Sequence, residues 1–589
     1  MYLEKINNPE DVKKLDATGR QGLVDEIRAA LLSRASKHGG HFGPNFGMVE
    51  ATVALHTVFD SPHDHIVYDV SHQTYPHKML TGRKESFTDP EHYDDVSPYT
   101  DPDETPHDLF KIGHTSTSIS LALGLAKSRD LCGGHENIIA VIGDGSMSGG
   151  EALEGLNVAG ELDSNFIIVF NDNQRSIAEN HGGMYDRFRE LRESNGTAPN
   201  NLFKAMGLDY VYVNDGNNTE ALIAAFKQVK DIDHPVVVHI NTLKGKGYEP
   251  ALKDEEAWHW HGPFDIATGQ SLSDGPTPES YANLAGEYLL KRAETDENLL
   301  VVASAVPFAL GMSPERRERM GKHYLDVGIA EETAVAIASG AAHAGAHVVW
   351  GSSTTFQQRV YDQLSQDLAL NGNPAVIVGN SGSVWGMSDV THASFWTIPM
   401  IANIPNITYL APTNAEEYLA MLRWGLDQEK HPVFIQVPGG PVRHAKGPVR
   451  KSYDDLRSEV VRRGSKIAIF GLGSFFDMGE KTADILRESL GFEVTLVNPL
   501  FASGLDSELL DNLAVNHDIF VTLEDGQLEG GWGQTLASYF GNSDKHVLNY
   551  GIKKDFYDRF EVDKLLHENR LEPGLIVADI RAALRRCAN

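Results

Sequence analysis

Residues 137–173 decide the fold class; they begin Asn137-Ile-Ile-Ala-Val-Ile-Gly-Asp-Gly-Ser and end Phe166-Ile-Ile-Val-Phe-Asn-Asp-Asn. The apolar runs 138–142 and 166–170 are typical of buried strands, and the stretch 151–162 between them is predicted to be helical. A strand–helix–strand unit of this length predicts two parallel strands joined by a right-handed crossover.

The same pattern recurs along the chain, where short apolar runs alternate with helix-length segments. The further predicted strands are 236–240, 299–303, 347–350, 375–378, 433–437, 467–470, 494–497 and 519–523. Strands spaced in this way predict mostly parallel sheets with helices on both faces. The predicted fold class is therefore α/β.

Two polar, loop-like connections, 269–279 and 444–464, divide the chain. They predict three α/β domains at residues 1–270, 277–450 and 460–589, each of ordinary domain size. A chain of 589 residues is longer than a single hydrophobic core supports, which agrees with this division.

Composition excludes several classes of protein. Hydrophobic residues make up 41% and charged residues 23% of the chain, which excludes a mostly disordered protein. The formal net charge of −31 argues against a nucleic-acid binder. Two cysteines are too few for a disulfide framework or a four-cysteine zinc site. No run of about 18 apolar residues and no apolar signal core near Met1 occur, so we expect no membrane association and a cytoplasmic location.

The segment 89–108 differs from the rest, with eight acidic residues, four prolines and no Lys or Arg. Because proline breaks helices and like charges repel, we expect a solvated, non-helical loop. A cation site is the alternative, but no ordered spacing of ligands supports it.

Polar residues follow both strands of the opening unit, Gly143-Asp-Gly after the first and Asn171-Asp-Asn at the end of the second. The crossover brings both strand ends to one edge of the sheet, where ligands of parallel sheets bind. We therefore expect Asp144 and Asn173 to hold one cation, and the flanking glycines to let backbone N–H groups approach phosphate oxygens. Magnesium prefers a few protein oxygens plus phosphates, so the predicted ligand is a magnesium-bound diphosphate. Gly-Asp-Gly alone would indicate only a tight turn.

With these segments the chain resembles the transketolase superfamily and, within it, the 1-deoxy-D-xylulose-5-phosphate synthases. The other segments that carry the resemblance are 72–83 (HQTYPHKMLTGR), 113–120 (GHTSTSIS), 244–250 (KGKGYEP), 326–332 (DVGIAEE) and 356–363 (FQQRVYDQ). The resemblance covers nearly the whole chain. Segment 72–83 is specific to the synthase branch of the superfamily.

The resemblance implies a transketolase-like thiamin diphosphate-binding fold, with a diphosphate-binding, a pyrimidine-binding and a C-terminal transketolase-type domain in that order. It also implies a homodimer, the cofactors thiamin diphosphate and magnesium, and a part in isoprenoid biosynthesis. The implied reaction is decarboxylation of pyruvate and transfer of its two-carbon unit to an aldehyde. A transketolase-like ketol transferase with a ketose donor stays open, whereas a cofactor-binding protein without turnover is disfavoured.

The resemblance also assigns site residues. The metal ligands are Asp144, Asn173 and the backbone carbonyl of Arg175. The cofactor-binding residues are His72, Gly113, His114, Thr115, Ser116, Gly143, Asp144, Gly145, Ser146, Asn173, Lys244, Glu331 and Phe356. The catalytic residues are Glu331, His41, His72, His261 and His392, with His259 as an alternative to His261.

Two of these residues have stated roles in the family. The glutamate matched by Glu331 hydrogen-bonds the pyrimidine of thiamin and favours the imino tautomer that deprotonates the thiazolium carbon. Phe356 matches the residue that stacks on the pyrimidine. Outside its motif, Glu331 would be read as an acid favoured by a helix N-terminus, and Phe356 as core packing.

The chain departs from the family pattern at the acceptor. The family's Asp-Arg-Ala-Gly and Tyr-Pro-Arg-Gly turns, whose arginines hold the acceptor phosphate, have Ser381 and Gly439 at the arginine positions. Guanidinium–phosphate pairs are strong, so we predict an altered phosphate site. Arg443 and Arg359 are candidates to compensate.

Overall fold

The computed structural model describes residues 1–272 and 278–587, and these form two compact units. The first unit contains residues 1–272 together with Gly328–Ala330, and the second contains 278–327 and 331–587. No helix within these described ranges has both the length and the apolar character needed to cross a bilayer.

The first unit is an α/β structure with the following elements. Its strands are β1 (Gly40–His41), β2 (His65–Tyr68), β3 (Ile138–Gly143), β4 (Phe166–Asp172), β5 (Asp209–Val213), β6 (Pro235–Asn241) and β7 (Trp260–His261). Its helices are α1 (Pro9–Lys13), α2 (Ala17–His38), α3 (Gly43–Gly47), α4 (Val49–Val58), α5 (Tyr75–Lys78), α6 (Glu85–Thr88), α7 (Ser118–Cys132), α8 (Gly150–Ala159), α9 (Met184–Glu193), α10 (Leu202–Ala205), α11 (Thr219–Val229) and α12 (Glu249–Lys253).

A five-stranded parallel sheet, in the order β2-β3-β4-β6-β5, forms the centre of the first unit. Successive residues of β3 point to opposite faces: Ile138 and Ile142 join one apolar core, and Ile139 and Val141 join the other. Both faces are therefore covered, which explains why the strand is apolar at every position. The short strands β1 and β7 pair antiparallel outside this sheet.

The second unit contains the remaining elements. Its strands are β8 (Leu299–Ala303), β9 (Tyr324–Asp326), β10 (His347–Ser353), β11 (Val376–Asn380), β12 (Thr408–Leu410), β13 (Val433–Gln436), β14 (Glu459–Arg462), β15 (Lys466–Leu472), β16 (Thr495–Asn498), β17 (His517–Gln527) and β18 (His546–Ile552). Its helices are α13 (Tyr281–Ala293), α14 (Pro314–Met320), α15 (Glu331–His343), α16 (Thr354–Gln357), α17 (Thr397–Ala402), α18 (Ala415–Asp427), α19 (Phe476–Leu490), α20 (Ser507–Ala514), α21 (Trp532–Tyr539), α22 (Val562–Glu568) and α23 (Pro573–Cys587).

Two sheets lie in the second unit. One is parallel with the order β12-β13-β11-β10-β8-β9, and the other has the order β14-β16-β15-β17-β18, in which only β14 runs antiparallel to its neighbour. A shared apolar core contains Trp350 and Phe434 from the first sheet and Phe470 and Phe520 from the second. The predicted α/β class with mostly parallel sheets is confirmed, and the division into three domains stays a prediction.

The acidic segment 89–108 is only partly the solvated loop that its composition predicts, because Asp89, Glu91, Asp94, Asp95 and Asp103 are exposed whereas its end is not. Asp108 is buried, and its carboxylate accepts hydrogen bonds from His77 Nε2 at 2.9 Å and Arg83 Nη1 at 2.7 Å. Lys78 Nζ and Arg83 Nη1 also donate to Glu104, at 2.5 and 2.7 Å. Burial alone would raise the pKa of Asp108, but His77 and Arg83 outweigh it and hold that pKa below its usual value. The expected solvation is wrong for Asp108, because its partners His77 and Arg83 come from the segment that precedes the acidic one in the chain.

Replacing Asp108 by asparagine should destabilise the protein by about 3–5 kcal/mol, because removal of one partner leaves buried cations uncompensated. Chemical denaturation gives the free energy of unfolding. The control is Asp103→Asn in the same segment, whose exposed side chain pairs with Lys111 and should contribute less than about 1 kcal/mol. Equal losses in the two variants would contradict this account of the segment.

Candidate functional site

Asp144 and Asn173 lie at one edge of the first unit's sheet. Asp144 directly follows β3 and Asn173 directly follows β4, and these strands are parallel neighbours with Gly143 opposite Asn171. The backbone N–H of Asp144 donates to Asn171 O at 3.0 Å, which continues the pairing beyond the strand end. The two predicted metal ligands therefore emerge from adjacent strands at the same edge.

Gly145 needs to be glycine because two turns approach each other closely. A Cβ atom at this position would lie 2.8 Å from the Ser176 Cβ atom and 3.0 Å from its Cα atom. The turn after β3 thus packs directly against the segment that follows Asn173. A small residue here leaves backbone N–H groups accessible to an anion.

The Asp144 carboxyl is buried, and its side-chain hydrogen-bond donor is a neutral amide. Asn180 Nδ2 donates to its Oδ2 at 2.7 Å. Burial, and next the nearby Asp172 carboxylate, raise the pKa of Asp144 well above its usual value, while the Lys244 ammonium opposes this. A bound divalent cation would remove this penalty, so the group is suited to metal binding.

Lys244 is also buried, and its ammonium donates to Ser176 O at 2.6 Å. Burial lowers the pKa of Lys244 to about 8, against the opposing effect of Asp144. The structure therefore places this predicted cofactor-binding cation beside the turn of Asp144 and Gly145 and the segment that follows Asn173.

A charged network supports the end of β4. The Asp172 carboxylate accepts hydrogen bonds from Arg192 and from His239 Nε2, the latter at 3.0 Å, and His239 Nδ1 lies 2.7 Å from the Tyr210 hydroxyl. The Arg175 side chain points to acids, with its Nε 2.6 Å from Glu255 Oε2. Only the backbone of Arg175 is thus left for the predicted metal site.

The segment that begins at Gly113 joins this site through a residue that sequence reasoning missed. Asp69 follows β2, and its buried carboxylate accepts hydrogen bonds from the backbone N–H groups of Ser116 at 2.8 Å and Ser118 at 3.0 Å. Ser116, whose φ is +75°, donates its hydroxyl to Ser146 O at 2.7 Å. The predicted cofactor segments 113–116 and 143–146 are therefore brought together, with Gly113 buried and His114 and Thr115 half-buried.

Three histidines form a cluster in the first unit. The ring centroids of His41 and His72 are 5.0 Å apart, and those of His259 lie 5.9 and 5.2 Å from them. His261 instead stacks on Trp258, with centroids 4.2 Å apart and planes inclined by 13°. The structure thus brings together two predicted histidines with His259, and it does not bring His261 into the cluster.

Asn45 is a second residue that sequence reasoning missed. It is fully buried, and its Nδ2 atom donates to the backbone carbonyls of His41 and His72, both at 2.8 Å. Its Oδ1 atom accepts from Tyr75 N at 2.9 Å. Asn45 therefore fixes the spacing of the two histidine-bearing segments.

Glu331 begins α15 in the second unit and is buried. Its Oε2 atom has no hydrogen-bond partner within the described residues, and the closest cation is Arg359, whose Nη1 lies 3.9 Å away. Burial raises the pKa of Glu331 to about 7, although Arg359 opposes the rise. A buried carboxyl oxygen without a hydrogen-bond partner is costly, so Oε2 is suited to share a proton with a bound group.

Phe356 and His392 meet in the same unit. Phe356 is half-buried on α16, which directly follows β10, and its ring centroid lies 5.7 Å from that of His392 in an edge-to-face arrangement. Burial lowers the pKa of His392 to about 4, so the imidazole is neutral at pH 7. An aromatic ring beside a neutral imidazole suits the binding of a flat heteroaromatic ring.

The turn that carries Ser381 packs closely against the turn that carries Gly439. A Cβ atom on Gly439 would lie 1.9 Å from Ser383 Oγ, so position 439 has no room for a side chain. The two arginines proposed to compensate are engaged elsewhere: Arg443 Nη1 lies 3.0 Å from Asp477 Oδ1, and Arg359 lies near Glu331. The geometry therefore gives no support to a compensating guanidinium.

Each unit fits one part of thiamin diphosphate. The first offers a buried carboxylate, an amide-bearing strand end and a glycine cradle, which suit a metal-bound diphosphate. The second offers an aromatic face and a buried carboxyl oxygen without a partner, which suit an aminopyrimidine. Across residues 1–272 and 278–587, no three His, Cys, Asp or Glu side chains form a metal site, and the predicted site needs only one carboxylate.

Comparison with known proteins decides the family. The model of the 1-deoxy-D-xylulose-5-phosphate synthase N-terminal region matches residues 3–198 and 193–242, the transketolase pyrimidine-binding domain matches 279–443, and the transketolase C-terminal domain matches 457–573. The 1-deoxy-D-xylulose-5-phosphate synthase of Lachnoclostridium phytofermentans is 35% identical in an alignment that covers 98% of this chain and 98% of its own. The chain belongs to the 1-deoxy-D-xylulose-5-phosphate synthase family.

Two further proteins are similar to this chain. 1-Deoxy-D-xylulose-5-phosphate synthase 1 of Geobacter sulfurreducens is 34% identical over 99% of this chain and 96% of its own. The transketolase of Campylobacter jejuni, a solved structure, aligns with 96% of this chain and 100% of its own at 15% identity and a TM-score of 0.45. Synthase family members are thiamin diphosphate-dependent transferases that also use magnesium, so the predicted enzyme class and cofactors are confirmed.

Proposed function

We propose that this protein decarboxylates pyruvate and transfers the two-carbon unit to an aldehyde, with thiamin diphosphate and magnesium. Family membership supports the reaction, and the observation that carries it is the buried Glu331 carboxyl with an unpartnered oxygen. A buried acid with a pKa near 7 is suited to hold a proton against a ring nitrogen.

In this proposal the first unit binds the diphosphate. Asp144, Asn173 and the Arg175 carbonyl hold magnesium, while Gly143, Gly145, Ser146 and the segment 113–116 present their backbone and hydroxyl groups to the phosphates. Lys244 adds a positive charge. The metal neutralises diphosphate charge that the buried Asp144 alone would repel.

The second unit binds the pyrimidine. Phe356 stacks on the ring, and Glu331 holds a proton at Oε2 against a ring nitrogen. Thiamin diphosphate, when bound, would supply the nucleophilic carbon that the reaction with the donor needs. His392, neutral at pH 7, accepts a hydrogen bond from a reacting hydroxyl group.

The histidine cluster serves proton transfer in this proposal. His41 and His72 are joined by His259, whose place in the cluster makes it a better candidate than His261. His72 and His114 also lie in segments assigned to cofactor binding. We propose in addition that the protein acts as a homodimer, as the resemblance implies.

The acceptor is proposed to differ from a phosphorylated aldehyde. Ser381 offers a single neutral donor and Gly439 has no room for a side chain. Charge-assisted hydrogen bonds contribute roughly 1.5–3 kcal/mol each, so the absence of two such contacts costs about 3–6 kcal/mol. This corresponds to roughly two to four decades in specificity against phosphate.

A donor assay tests the proposed reaction. With Mg²⁺, thiamin diphosphate and a panel of aldehydes, pyruvate should release carbon dioxide and a ketose donor should give no transfer. Transfer from a ketose without carbon dioxide would instead support the transketolase-like alternative. No product from either donor would refute the enzymatic proposal.

A further inference from the structure

The turn that leads into His72 has an unusual backbone. It follows β2, and two of its residues, Val70 with φ +57° and Ser71 with φ +66°, lie in the left-handed region. Residues other than glycine rarely adopt this region, and for a β-branched residue such as Val70 it is an outlier. Such strain persists only where the surrounding structure holds the backbone in place, and it is concentrated at functional sites.

The Ser71 side chain provides this hold on the strained turn. It is fully buried, its hydroxyl donates to Ile112 O at 2.6 Å, and its oxygen accepts from Thr100 N at 2.9 Å. Thr100 and Ile112 also pair with each other in an antiparallel bridge. One hydroxyl therefore joins the turn to both sides of the segment 99–112, which we call the clamp segment.

The clamp segment also contacts the histidine cluster itself. Tyr99 is buried, and its ring centroid lies 5.7 Å from that of His41, with the ring planes inclined by 62°. The backbones of His41 and His72 are tied to each other through the Asn45 amide. Because Tyr99 and Thr100 are adjacent in the chain, the clamp segment reaches both histidine-bearing segments at one point.

The clamp segment has its own attachment to the protein. The backbone N–H of Asp101 donates to Asp108 Oδ2 at 2.8 Å, and the Asp108 carboxylate is paired with His77 and Arg83. These partners lie outside the strained turn. The clamp segment is therefore held independently of the turn, so it can keep the turn in place.

Both ends of the strained turn serve the proposed active site. Asp69 at its start orients the predicted cofactor segment through Ser116 N and Ser118 N. His72 at its end belongs to the histidine cluster. A displacement of about 1 Å can cost roughly 10²-fold in rate, so a small movement of this turn would affect the reaction.

We propose that the clamp segment positions the histidine cluster for the reaction, with Ser71 and Tyr99 as the positioning residues. This inference rests on the proton transfer that we assign to the cluster. Ser71 acts by holding the turn that leads into His72, and Tyr99 acts by orienting the His41 ring. The end of the acidic segment is then part of the active-site structure, and the Asp108 carboxylate anchors it.

Steady-state kinetics with pyruvate and an aldehyde acceptor test the positioning. Ser71→Ala removes both hydrogen bonds and should lower kcat about 10–100-fold, with little change in KM for pyruvate. Ser71→Gly also lacks the hydroxyl but relieves the strain at positive φ, so it should lose less and guards against a folding defect in the first variant. Tyr99→Leu should lower kcat, whereas Tyr99→Phe, which keeps the ring, should stay within a few-fold of the unmodified protein. Ser128→Ala, at an exposed position of α7, is the matched control.

A measurement without turnover separates this inference from the proposed function. In the holoenzyme with ¹³C-labelled histidine, the ring signals of His41 and His72 are assigned from His41→Gln and His72→Gln. These signals should shift in Ser71→Ala and Tyr99→Leu and stay unchanged in Ser128→Ala. Unchanged ring signals, or an unchanged kcat, in both variants would overturn the positioning. No product from the unmodified protein would refute the proposed function, and the ring signals alone would then decide whether the clamp segment orients the cluster.

Discussion

Replacing Asp144 by alanine should abolish magnesium-dependent binding of thiamin diphosphate. Loss of groups that merely orient metal ligands costs about 10–100-fold in affinity, so loss of a direct ligand should cost more than about 100-fold. The buried carboxyl accepts hydrogen bonds from the Asn180 side-chain amide and the Gly145 backbone, and it is a nearby anion for buried Lys244. Calorimetric titration of the cofactor, with and without Mg²⁺, measures the effect.

The matched control for Asp144→Ala is Asp163→Ala. Asp163 is exposed in the connection between α8 and β4 of the same strand–helix–strand unit. This control should bind the cofactor as the unmodified protein does. Unchanged affinity in Asp144→Ala would contradict the assignment of the metal site.

Replacing Glu331 by glutamine should reduce turnover by about 10²–10⁴-fold and leave cofactor affinity within a few-fold of the original. Glutamine keeps the shape of the side chain but no longer shares a carboxyl proton. Cofactor binding is expected to survive because the diphosphate is assigned to residues of the other unit. The rate of proton exchange at the thiazolium carbon, measured by NMR, reports the step directly.

Glu332→Gln serves as the control because it removes a carboxylate from the same helical turn and leaves the Glu331 carboxyl in place. Its carboxylate raises the pKa of Glu331 only as the last of several causes, so exchange should change little. If Glu331→Gln exchanged its proton as fast as the unmodified protein, the proposed role of this residue would be wrong.

The sequence allowed the sheets to be predicted where strands are buried on both faces. β3 and β4 are apolar at nearly every position because helices cover both sides of them. β2 was missed because only four residues form it and its first is a histidine. β18 was missed because Asn549 and Tyr550 interrupt its apolar pattern, although the strand pairs with β17.

Whether a strand was predicted from its apolar pattern also explains which candidate site residues could be predicted. Asp144 and Asn173 follow predicted strands, so topology alone brings them to one edge. Asp69 was missed together with β2, and it acts on Ser116 and Ser118, nearly fifty residues later. Asn45 acts through backbone carbonyls of two distant segments, for which a single sequence carries no signal.

The choice between His259 and His261 shows a further limit. The two residues are separated by one position, and both follow a tryptophan in Trp258-His-Trp-His. Only packing distinguishes them, because Trp258 stacks on His261 while His259 reaches His41 and His72. Which of the two histidines acts at the site stays a prediction.

Carbon-13 NMR of the reaction with [2,3-¹³C₂]pyruvate tests the central claim most directly. In the proposed reaction the bond between pyruvate C1 and C2 breaks, C1 leaves as carbon dioxide, and C2 bonds to the aldehyde carbon. We predict that the label appears as the methyl ketone of a 1-deoxyketose, in equal amount to the carbon dioxide released, and only when both Mg²⁺ and thiamin diphosphate are present. Label that remains in pyruvate while an unlabelled ketose supplies two carbons to the same aldehyde would contradict the account.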